Sequence, residues 1–480
     1  MPGSPAMRFS TPGGNYASRC PWSRFAGANS FSLTACRCLP PNGCHDIMRL
    51  ALPAYRALST GLFFAAWPGW WVYSQLTGAH RDGWRQRVGD YGAVPLGNGR
   101  PRIWFHAASV GEVNAAAVIA AALRQSIPRV RLVVSTTTAH GRAAAQERLG
   151  NIADSVLLAP VDWPGAVNRA LARVAPDLLV CVETEIWPNW LAAARRRGVR
   201  TALVNGRISP RSVRRYRRVR PLMAAVLEGV DRLSMISADD AARIRELGAP
   251  PERITVNGNA KFDLAGAPPD PAVAEILRRR FNLEGSVPVI VAGSIRNGEA
   301  APVLDAFQRV RRRFPQAVLI IAPRHLQRVA RICADIRQRS LVYQRRSRIG
   351  GAQAARTAPV VVLDTIGELR DLYSIATVVF CGGSLVPRGG QNLIEAAAWG
   401  KPVICGPYMD DFRAATDLLA AAGAVFPVAD AQGLAERLED LLDHPEAANR
   451  AGSAGRAVVE ENRGAARRHA AVLAALLQAA

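Results

Sequence analysis

Short apolar runs alternate with longer alanine- and arginine-rich stretches along most of this chain, and this alternation constrains the fold more than any other feature. From Pro101 onward the runs have the length of strands, and most of the stretches between them have the length of helices. Strands separated by helices form a parallel sheet covered on both faces. The runs are 103–105, 132–135, 155–158, 178–182 and 201–204 in the first half, and 287–292, 317–322, 360–363, 377–381 and 402–405 in the second.

The two sets of runs predict two domains. A chain of 480 residues is too long for a single core. Between the two sets lies the segment 266–271, Gly-Ala-Pro-Pro-Asp-Pro, which has the composition of a linker. We therefore expect two doubly wound, Rossmann-like α/β domains, 96–265 and 266–480, with a ligand-binding cleft between them.

Two segments precede the first predicted sheet. Residues 1–47 are rich in Pro, Gly, Ser and Cys, so we expect a disordered extension, or one that an upstream start codon adds. Residues 48–95 contain a stretch, 57–79, without Asp, Glu, Lys or Arg and with clustered Trp, Phe and Tyr. About 20 apolar residues span a bilayer, and Trp and Tyr favour its interface. The segment predicts a helical anchor that lies on or spans a membrane; the alternative is a helix buried in the protein.

The formal net charge of +23 predicts an anionic partner, which could be nucleic acid, anionic lipid or a phosphorylated substrate. Eleven arginines fall between Arg195 and Arg220 with no acidic residue among them. They form either a solvated surface or a site for anionic lipid or lipid phosphate. The eight cysteines show no zinc-binding spacing. No helix-turn-helix or RNA-binding motif favours a nucleic-acid-binding protein.

The motif His106-Ala-Ala-Ser-Val-Gly-Glu112 follows the first predicted strand and opens a predicted helix. Ser109 and Gly111 bring backbone N–H groups to the helix N-terminus, which is a natural site for an anion. We expect Glu112 at the carboxyl edge of the sheet, where open α/β sheets bind ligands, with its charged form favoured by those N–H groups. In the alternative, Glu112 only stabilises its own helix.

Two more carboxylates, Glu183 and Glu185, follow strand 178–182 in the motif Glu-Thr-Glu-Ile-Trp-Pro-Asn. They could bind sugar hydroxyls or a basic group, or Glu185 could simply face solvent before a helix. A third motif, Asn-Gly-Arg-Ile-Ser at 205–209, places Arg207 just after the next strand.

Four loops of the second half also follow predicted strands or open helices. Glycines in such loops let the backbone approach a ligand, and a helix N-terminus can face it. A carboxylate one turn into the helix that follows the glycine loop can accept both hydroxyls of a ribose. The candidate ligand-binding residues of these loops are Ser294, Arg324, His325, Gly382, Gly383, Ser384, Asn392 and Glu395.

With these motifs, residues 48–465 resemble the bacterial Kdo (3-deoxy-D-manno-octulosonic acid) transferases. The resemblance rests on long motifs in the same order along the chain. They are HAASVGE at 106–112, ETEIWPN at 183–189, NGRIS at 205–209, GNAKFD at 258–263, PRH at 323–325, DTIGEL at 364–369, and GGSLVPRGGQNLIEAAAWGKPVICGP at 382–407. The chain departs from the usual family residues at Ile295-Arg296, Gln391, Leu393 and Asp411.

The resemblance implies a GT-B fold and transfer of Kdo from CMP-Kdo to a lipid A precursor at the cytoplasmic face of the inner membrane. It implies that the reaction needs no cofactor and no metal. Glu112 would be the general base, with Ser109, Glu183, Glu185 and Arg207 on the acceptor side. Lys261 or Arg207 would pair with the carboxylate of the donor sugar. The donor-binding residues would be Lys261, Ser294, Arg324, His325, Gly382, Gly383, Ser384, Asn392 and Glu395.

Other functions give different expectations. One alternative is another membrane-associated GT-B glycosyltransferase, which would use a different nucleotide sugar. Another is a sugar-nucleotide epimerase, but a soluble epimerase would not need the apolar segment 57–79. A basic nucleic-acid-binding protein would not place its loops at the edges of two sheets. We therefore expect CMP-Kdo, a lipid A precursor and anionic lipid as partners, and no nucleic acid.

Overall fold

The computed structural model describes residues 41–77, 83–92, 99–266, 270–283, 285–350 and 355–478. Two seven-stranded sheets dominate it, and every pair of neighbouring strands is parallel. Apolar clusters cover both faces of each sheet. The prediction of two parallel α/β domains is therefore confirmed, and the arrangement is consistent with a GT-B glycosyltransferase.

The first sheet has the strand order β3-β2-β1-β4-β5-β6-β7. Its strands are β1 (Arg102–His106), β2 (Arg131–Thr136), β3 (Ser155–Leu158), β4 (Leu178–Val182), β5 (Arg200–Gly206), β6 (Arg232–Met235) and β7 (Ile254–Val256). The helices up to β7 are α1 (Pro41–Thr77), α2 (Trp84–Arg87), α3 (Val110–Ser126), α4 (Ala139–Leu149), α5 (Pro164–Val174), α6 (Pro188–Arg196), α7 (Pro210–Arg217), α8 (Arg220–Leu227) and α9 (Ala238–Glu246).

The second sheet has the order β10-β11-β9-β8-β12-β13-β14. Its strands are β8 (Val289–Ile295), β9 (Val318–Pro323), β10 (Tyr343–Arg345), β11 (Val360–Val362), β12 (Val378–Cys381), β13 (Val403–Cys405) and β14 (Val425–Pro427). The remaining helices are α10 (Pro271–Arg280), α11 (Ala300–Arg313), α12 (Val329–Gln338), α13 (Leu369–Leu372), α14 (Ile394–Ala398), α15 (Arg413–Ala421), α16 (Ala431–Asp443), α17 (Pro445–Asn462) and α18 (Ala465–Gln478).

All ten predicted strands are present, but the sequence analysis missed two strands of each sheet. These are β6 and β7 in the first sheet and β10 and β14 in the second. Each has only three or four residues, and β7, β10 and β14 lie at sheet edges. A short edge strand is half exposed, so it needs no continuous apolar run and leaves little signal in the sequence.

Helix α18 belongs to the second half of the sequence but packs on the first sheet. Its residues Ala466, Ala470 and Leu473 are buried in the same cluster as α3. Asp263 fixes its start, because the carboxylate accepts hydrogen bonds from the backbone N–H of Gly464 at 2.7 Å and of Ala466 at 2.6 Å. The predicted domain 266–480 therefore contains a final helix that in the structure packs on the first domain.

Helix α1 starts at Pro41, inside the extension predicted for 1–47; residues 1–40 lie outside the described part of the chain. One side of α1 packs on the first domain: the Tyr55 hydroxyl donates to Asp162 at 3.0 Å, and the Phe63 ring stacks on Trp163 with centroids 4.3 Å apart. Leu58, Leu62 and Phe64 on α1 are exposed. Of the helices in the described residues, none is apolar over a length that would cross a membrane.

Candidate active site

The site lies where the carboxyl edges of the two sheets face each other. In the first sheet the order of the strands reverses between β1 and β4, and in the second it reverses between β8 and β12. Such switch points open a crevice at the carboxyl ends of the strands, and ligands of open α/β sheets bind there. The loops after these four strands carry most of the residues that the sequence singled out.

Glu112 sits in the first turn of α3, directly after β1, and its carboxylate closes the helix start. One oxygen accepts from the backbone N–H of Ala108 at 2.6 Å, and the other accepts from the Ser109 hydroxyl at 2.9 Å. Ser109 in turn accepts from the backbone N–H of Glu112 at 3.3 Å. This is a capping-box arrangement, so the helix-stabilising role considered for Glu112 is present in the structure.

The environment of Glu112 also shifts the pKa of its carboxyl group. Burial, followed by the nearby charges of Glu185 and Glu183, raises its pKa to about 8, and the hydrogen bonds from Ala108 and Ser109 only partly offset this rise. The backbone N–H of Ala108 does favour the charged form, as expected, but desolvation and two like charges outweigh it, so the net shift is upward. A carboxyl group with a pKa near neutrality suits a general base or acid.

Glu183 comes directly after β4 with a backbone φ of 59°, a left-handed conformation that is uncommon for a residue other than glycine. Its carboxylate pairs with the ammonium group of Lys261 at 2.7 Å, and both side chains are nearly buried. Asn205 lies beside this pair: its amide is 3.4 Å from Glu183, and its oxygen accepts from the backbone N–H of Ala260 at 2.8 Å. Asn205 thus positions the turn that carries Lys261, a role that the sequence motif did not reveal.

Glu185 does not simply face solvent. It accepts from the indole N–H of Trp187 at 2.5 Å and lies 3.3 Å from Nε2 of His106. His106 is fully buried, with Nδ1 3.1 Å from the Ser135 hydroxyl, and the Nε2 contact lacks hydrogen-bond geometry. No role was predicted for His106, yet its ring contacts one of the three carboxylates at this edge.

Arg207 follows β5 at the same edge of the sheet, and its carbonyl accepts from the Thr184 hydroxyl at 2.7 Å. Ser109, Glu112, Glu183, Glu185 and Arg207 therefore lie together at the carboxyl end of the first sheet, as expected. Most arginines of the 195–220 stretch are exposed. Outside that stretch, Glu246 supplies a counter-charge to Arg217.

Glu299, which the sequence analysis did not single out, holds the loops of the second sheet together. It is fully buried at the start of α11. Its carboxylate accepts backbone N–H bonds from Gly383 at 2.6 Å, from Ser384 and Leu385 at 2.9 Å each, and from Arg296 at 2.8 Å. The backbone N–H groups of Gly383, Ser384 and Leu385 are therefore already engaged within the protein.

Ser384 is likewise buried with its hydroxyl in use, since it donates to the Cys381 carbonyl and accepts from the Gly406 N–H at 2.8 Å. Gly382 lies so close to β8 that a Cβ would come within 2.6 Å of the Gly293 carbonyl. Gly382, Gly383 and Ser384 thus shape the loop. Ser294, at a backbone φ of 56°, does line the cleft.

The interdomain cleft has a volume of about 490 Å³. It is lined from the first domain by Val110, Asn114, His140, Ala143, Ala144, Glu147, Arg148 and Leu264, and from the second by Ser294, Arg296, Arg324, Leu369, Tyr373, Arg388, Gly390, Gln391, Asn392, Glu395, Asp411 and Phe412. Four predicted donor-binding residues are among them: Ser294, Arg324, Asn392 and Glu395. Lys261 borders the cleft, with its ammonium group 3.4 Å from the Asp411 carbonyl.

Glu395 lies at the second position of α14, a helix of only five residues, and not one full turn into the helix as expected. Its carboxylate accepts from the Asn392 amide at 2.8 Å. Burial raises its pKa, while Asn392, Arg370, Arg148 and Arg324 lower it. A short helix has a weak dipole, so the side chains of Asn392 and Glu395, and not a helix N-terminus, are the groups that can bind a ligand here.

Arg324 and His325 follow β9. Arg324 reaches across the cleft to Glu147 of the first domain at 3.2 Å. His325 lies outside the cleft lining, with Nε2 3.1 Å from the Arg296 guanidinium. Partial burial and the charges of Arg296, Arg324 and Arg328 lower its pKa, so the ring is neutral and accepts from Arg296.

Across the described residues, no three His, Cys, Asp or Glu side chains come together as ligands of one metal ion.

Comparison with known proteins identifies relatives of both halves. A family profile described as 3-deoxy-D-manno-octulosonic-acid transferase (kdotransferase) matches residues 82–264, and the profile of glycosyl transferases group 1 matches residues 289–458. The 3-deoxy-D-manno-octulosonic acid transferase of Bordetella pertussis is 36% identical over 376 residues, which cover 76% of this chain and 85% of that protein. The transferase of the same name from Haemophilus influenzae is 31% identical over 395 residues, 81% of this chain and 90% of that one.

Among solved structures, the C-terminal CMP-Kdo binding domain of WaaA from Acinetobacter baumannii is 27% identical. The match covers 39% of this chain and 97% of that domain, with a TM-score of 0.37.

Proposed function

Because this chain belongs to the Kdo transferase family, whose members are glycosyltransferases, we propose that it transfers Kdo from CMP-Kdo to a lipid A precursor, with Glu112 as the general base and without a metal ion. The observation that carries the proposal is the meeting of three carboxylates, Glu112, Glu183 and Glu185, with an arginine-lined cleft at the switch points of two sheets. Such a site can accept a proton on one side and bind an anionic leaving group on the other.

Glu112 would take the proton from the acceptor hydroxyl as that hydroxyl attacks the anomeric carbon of the donor. A base must be ionised when the substrates are bound, and a pKa of about 8 leaves a useful fraction ionised near neutral pH. Ser109 and the Ala108 N–H hold the carboxylate in place. The nearby Glu183 and Glu185 raise its basicity, because proton uptake by Glu112 relieves repulsion among the three groups.

The donor would bind on the second domain. Asn392 and Glu395 are placed to donate and accept hydrogen bonds with ribose hydroxyls, and Arg324 to bind the phosphate that leaves with CMP. Lys261 would attract the carboxylate of the sugar, since its ammonium group lies between Glu183 and the cleft. Protein cations would thus neutralise the charge that develops on the leaving group.

An apolar groove beside the carboxylates supports a lipid acceptor. It has a volume of about 430 Å³ and is lined by Phe63, Ala66, Trp67, Trp84, Arg87, Thr137, Thr138 and Val161. Two hydrogen bonds link it to the loop of the base: Arg87 donates to the Thr137 carbonyl at 2.6 Å, and the Thr137 hydroxyl donates to the Ala108 carbonyl at 2.9 Å. An acyl chain in this groove would present its sugar headgroup to Glu112.

We further propose that the enzyme works on the cytoplasmic face of the inner membrane, with α1 at the lipid interface. Leu58, Leu62 and Phe64 expose apolar surface on this helix. The exposed arginines of the 195–220 stretch follow α6, which packs beside α1. Apolar contacts and basic attraction together favour anionic lipid, and the proposed partners include no nucleic acid.

The test is transfer of radiolabelled Kdo from CMP-Kdo to a lipid A precursor by the purified chain. Labelled lipid product in the presence of excess EDTA is expected, since no step uses a metal. Product formed from another nucleotide sugar, with none from CMP-Kdo, would favour a transferase of different donor specificity. Loss of product in EDTA that Mg²⁺ restores would contradict the metal-free mechanism.

A further inference from the structure

Helix α4 of the first domain presents one continuous face to the cleft. The residues on that face are His140, Ala143, Ala144, Glu147 and Arg148, which are spaced at i, i+3, i+4, i+7 and i+8. This spacing places side chains along one side of a helix. The two alanines leave room in the middle, and the charged pair Glu147 and Arg148 lies at the C-terminal end of this face.

Glu147 is the acidic partner of Arg324 across the cleft, at 3.2 Å, although its own side chain remains 65% exposed. Within the described residues, the Nε atoms of Arg324 and Arg296 are buried without a hydrogen-bond partner. A buried guanidinium nitrogen without an acceptor carries a free-energy cost that a bound anion would remove. The cleft thus has more donors than the protein itself satisfies.

Arg148 adds a further positive charge from the opposite wall. Within the described part of the chain, the Arg148 side chain forms no hydrogen bond and no ion pair. Desolvation and then the charge of Arg324 lower its pKa, while Glu147, Asp411 and Glu395 raise it. Two guanidinium groups from different domains therefore share one region of the cleft and repel each other there.

We propose that Glu147 and Arg148 set the affinity for the nucleotide phosphate from the first domain. The Glu147 carboxylate pairs with Arg324, the residue to which the proposed function assigns that phosphate. When the phosphate binds Arg324, it displaces Glu147, and Arg148 becomes its second cationic contact. This assignment rests on the proposed function, because it takes the phosphate to be that of a CMP-sugar donor. Donor binding then draws the two domains together, because the phosphate contacts Arg324 of the second domain and Arg148 of the first.

Calorimetric titration of the full chain with CMP, and with cytidine as the probe that lacks the phosphate, tests this inference. Arg148→Ala should weaken CMP binding about tenfold, the effect of one lost charge-assisted contact, and should leave cytidine binding unchanged. Glu147→Gln should tighten CMP binding by roughly two- to fivefold, since an exposed ion pair competes only weakly. Arg142→Ala on another face of α4 is the matched control and should bind CMP like the unmodified chain.

The opposite directions of the two effects exclude a general folding defect as their cause, and a thermal melt of each variant checks that it is folded. Unchanged CMP affinity in both Arg148→Ala and Glu147→Gln, with the unmodified chain still binding CMP, would overturn this inference alone. Weaker CMP binding in Glu147→Gln would also overturn it, because Glu147 would then help to bind the phosphate. If the unmodified chain bound no CMP, the proposed function would fall, and this inference with it.

Discussion

Replacing Glu112 by Gln separates its role in capping α3 from its proposed role as the general base, because Gln can still cap the helix but cannot accept a proton. The Gln oxygen can still accept from the Ala108 N–H or from the Ser109 hydroxyl, as the carboxylate does at 2.6 and 2.9 Å. Losing the capping interaction altogether would cost about 0.5–2 kcal/mol of stability. The amide cannot accept the proton of the acceptor hydroxyl, so the proposed catalytic role would be lost completely.

The expected change in turnover is large and the expected change in stability is small. A positioned general base typically contributes about 10²- to 10⁴-fold to a rate, so turnover with CMP-Kdo should fall by at least about 10²-fold. CMP binding should persist, since the proposed CMP-binding residues of the second domain are unchanged in this variant. If Glu112 only capped α3, turnover would stay nearly normal and the melting temperature would shift by a few degrees.

The raised pKa of Glu112 gives this prediction a pH dependence. Since the pKa in the folded chain is about 8 and the ordinary value is 4.5, the fold favours the protonated form. That stabilisation is complete below about pH 4.5 and is lost as pH rises toward 8. The glutamine side chain of the variant stays neutral, so Glu112→Gln should gain stability relative to the unmodified chain at high pH. For the unmodified enzyme, kcat/KM should rise with pH through about 8 and level off above it, as the proposed base becomes fully ionised.

The assays are radiolabelled Kdo transfer, calorimetric CMP binding and thermal melts from roughly pH 6 to roughly pH 9, a range that brackets the raised pKa. A matched control is Asp240→Asn at the start of α9, where Asp240 and Ser237 form a comparable cap. That control should lose stability and keep its turnover. A folded Glu112→Gln chain with near-normal turnover would refute the reasoning, and the base would then be sought in Glu183 or Glu185.

Glu395, Glu299 and the basic surface each give a further prediction. Glu395→Ala should raise the KM for CMP-Kdo more than it lowers kcat, because hydroxyl contacts are present in both ground and transition states; an unchanged KM in steady-state kinetics would reject this role. Glu299→Gln should lower the free energy of unfolding by at least about 2 kcal/mol in urea titrations, since one amide oxygen cannot replace a carboxylate that accepts four backbone N–H bonds. Co-sedimentation with vesicles should rise with anionic lipid and fall with salt, at roughly 1 kcal/mol per arginine near the surface; equal binding to neutral vesicles at every salt concentration would count against the electrostatic part.

The strands at the centre of each sheet could be predicted because burial on both faces demands continuous apolar runs. Strand β4, Leu178–Val182, is an example, since it is apolar and buried at every position. The edge strand β10 reads Tyr-Gln-Arg and is only partly buried, so nothing in its composition distinguishes it from a loop. Helix α18 was assigned to the wrong sheet because its pattern shows an apolar face but not which partner covers it.

Site residues could be predicted where a motif places ionisable side chains after a strand. They were missed where a side chain serves only to hold other parts of the protein in position. Glu112, Glu183 and Glu185 could be found because each follows a strand end at one edge of the sheet. Glu299 lies in the loop after β8, but its role depends on the glycine loop 85 residues later in the chain. Helix α4 carries no recognisable motif. Its face of small and polar residues can be identified as part of the cleft only when the position of the second domain is known.

The three departures from the usual family residues that line the cleft, Arg296, Gln391 and Asp411, are close to one another there. Arg296 and Gln391 both lie against Gly383, and the Asp411 carboxylate lies against Gly389 of the same loop region. The charges of Arg296 and Asp411 are opposite. Burial, followed by the charges of Arg324 and Arg388, lowers the pKa of Arg296, and the charges of Glu299 and Asp411 only partly offset this. Their opposite charges cancel, so this pair adds no net charge to the cleft. The arginines that line the cleft still outnumber its carboxylates, as the proposed anionic donor requires.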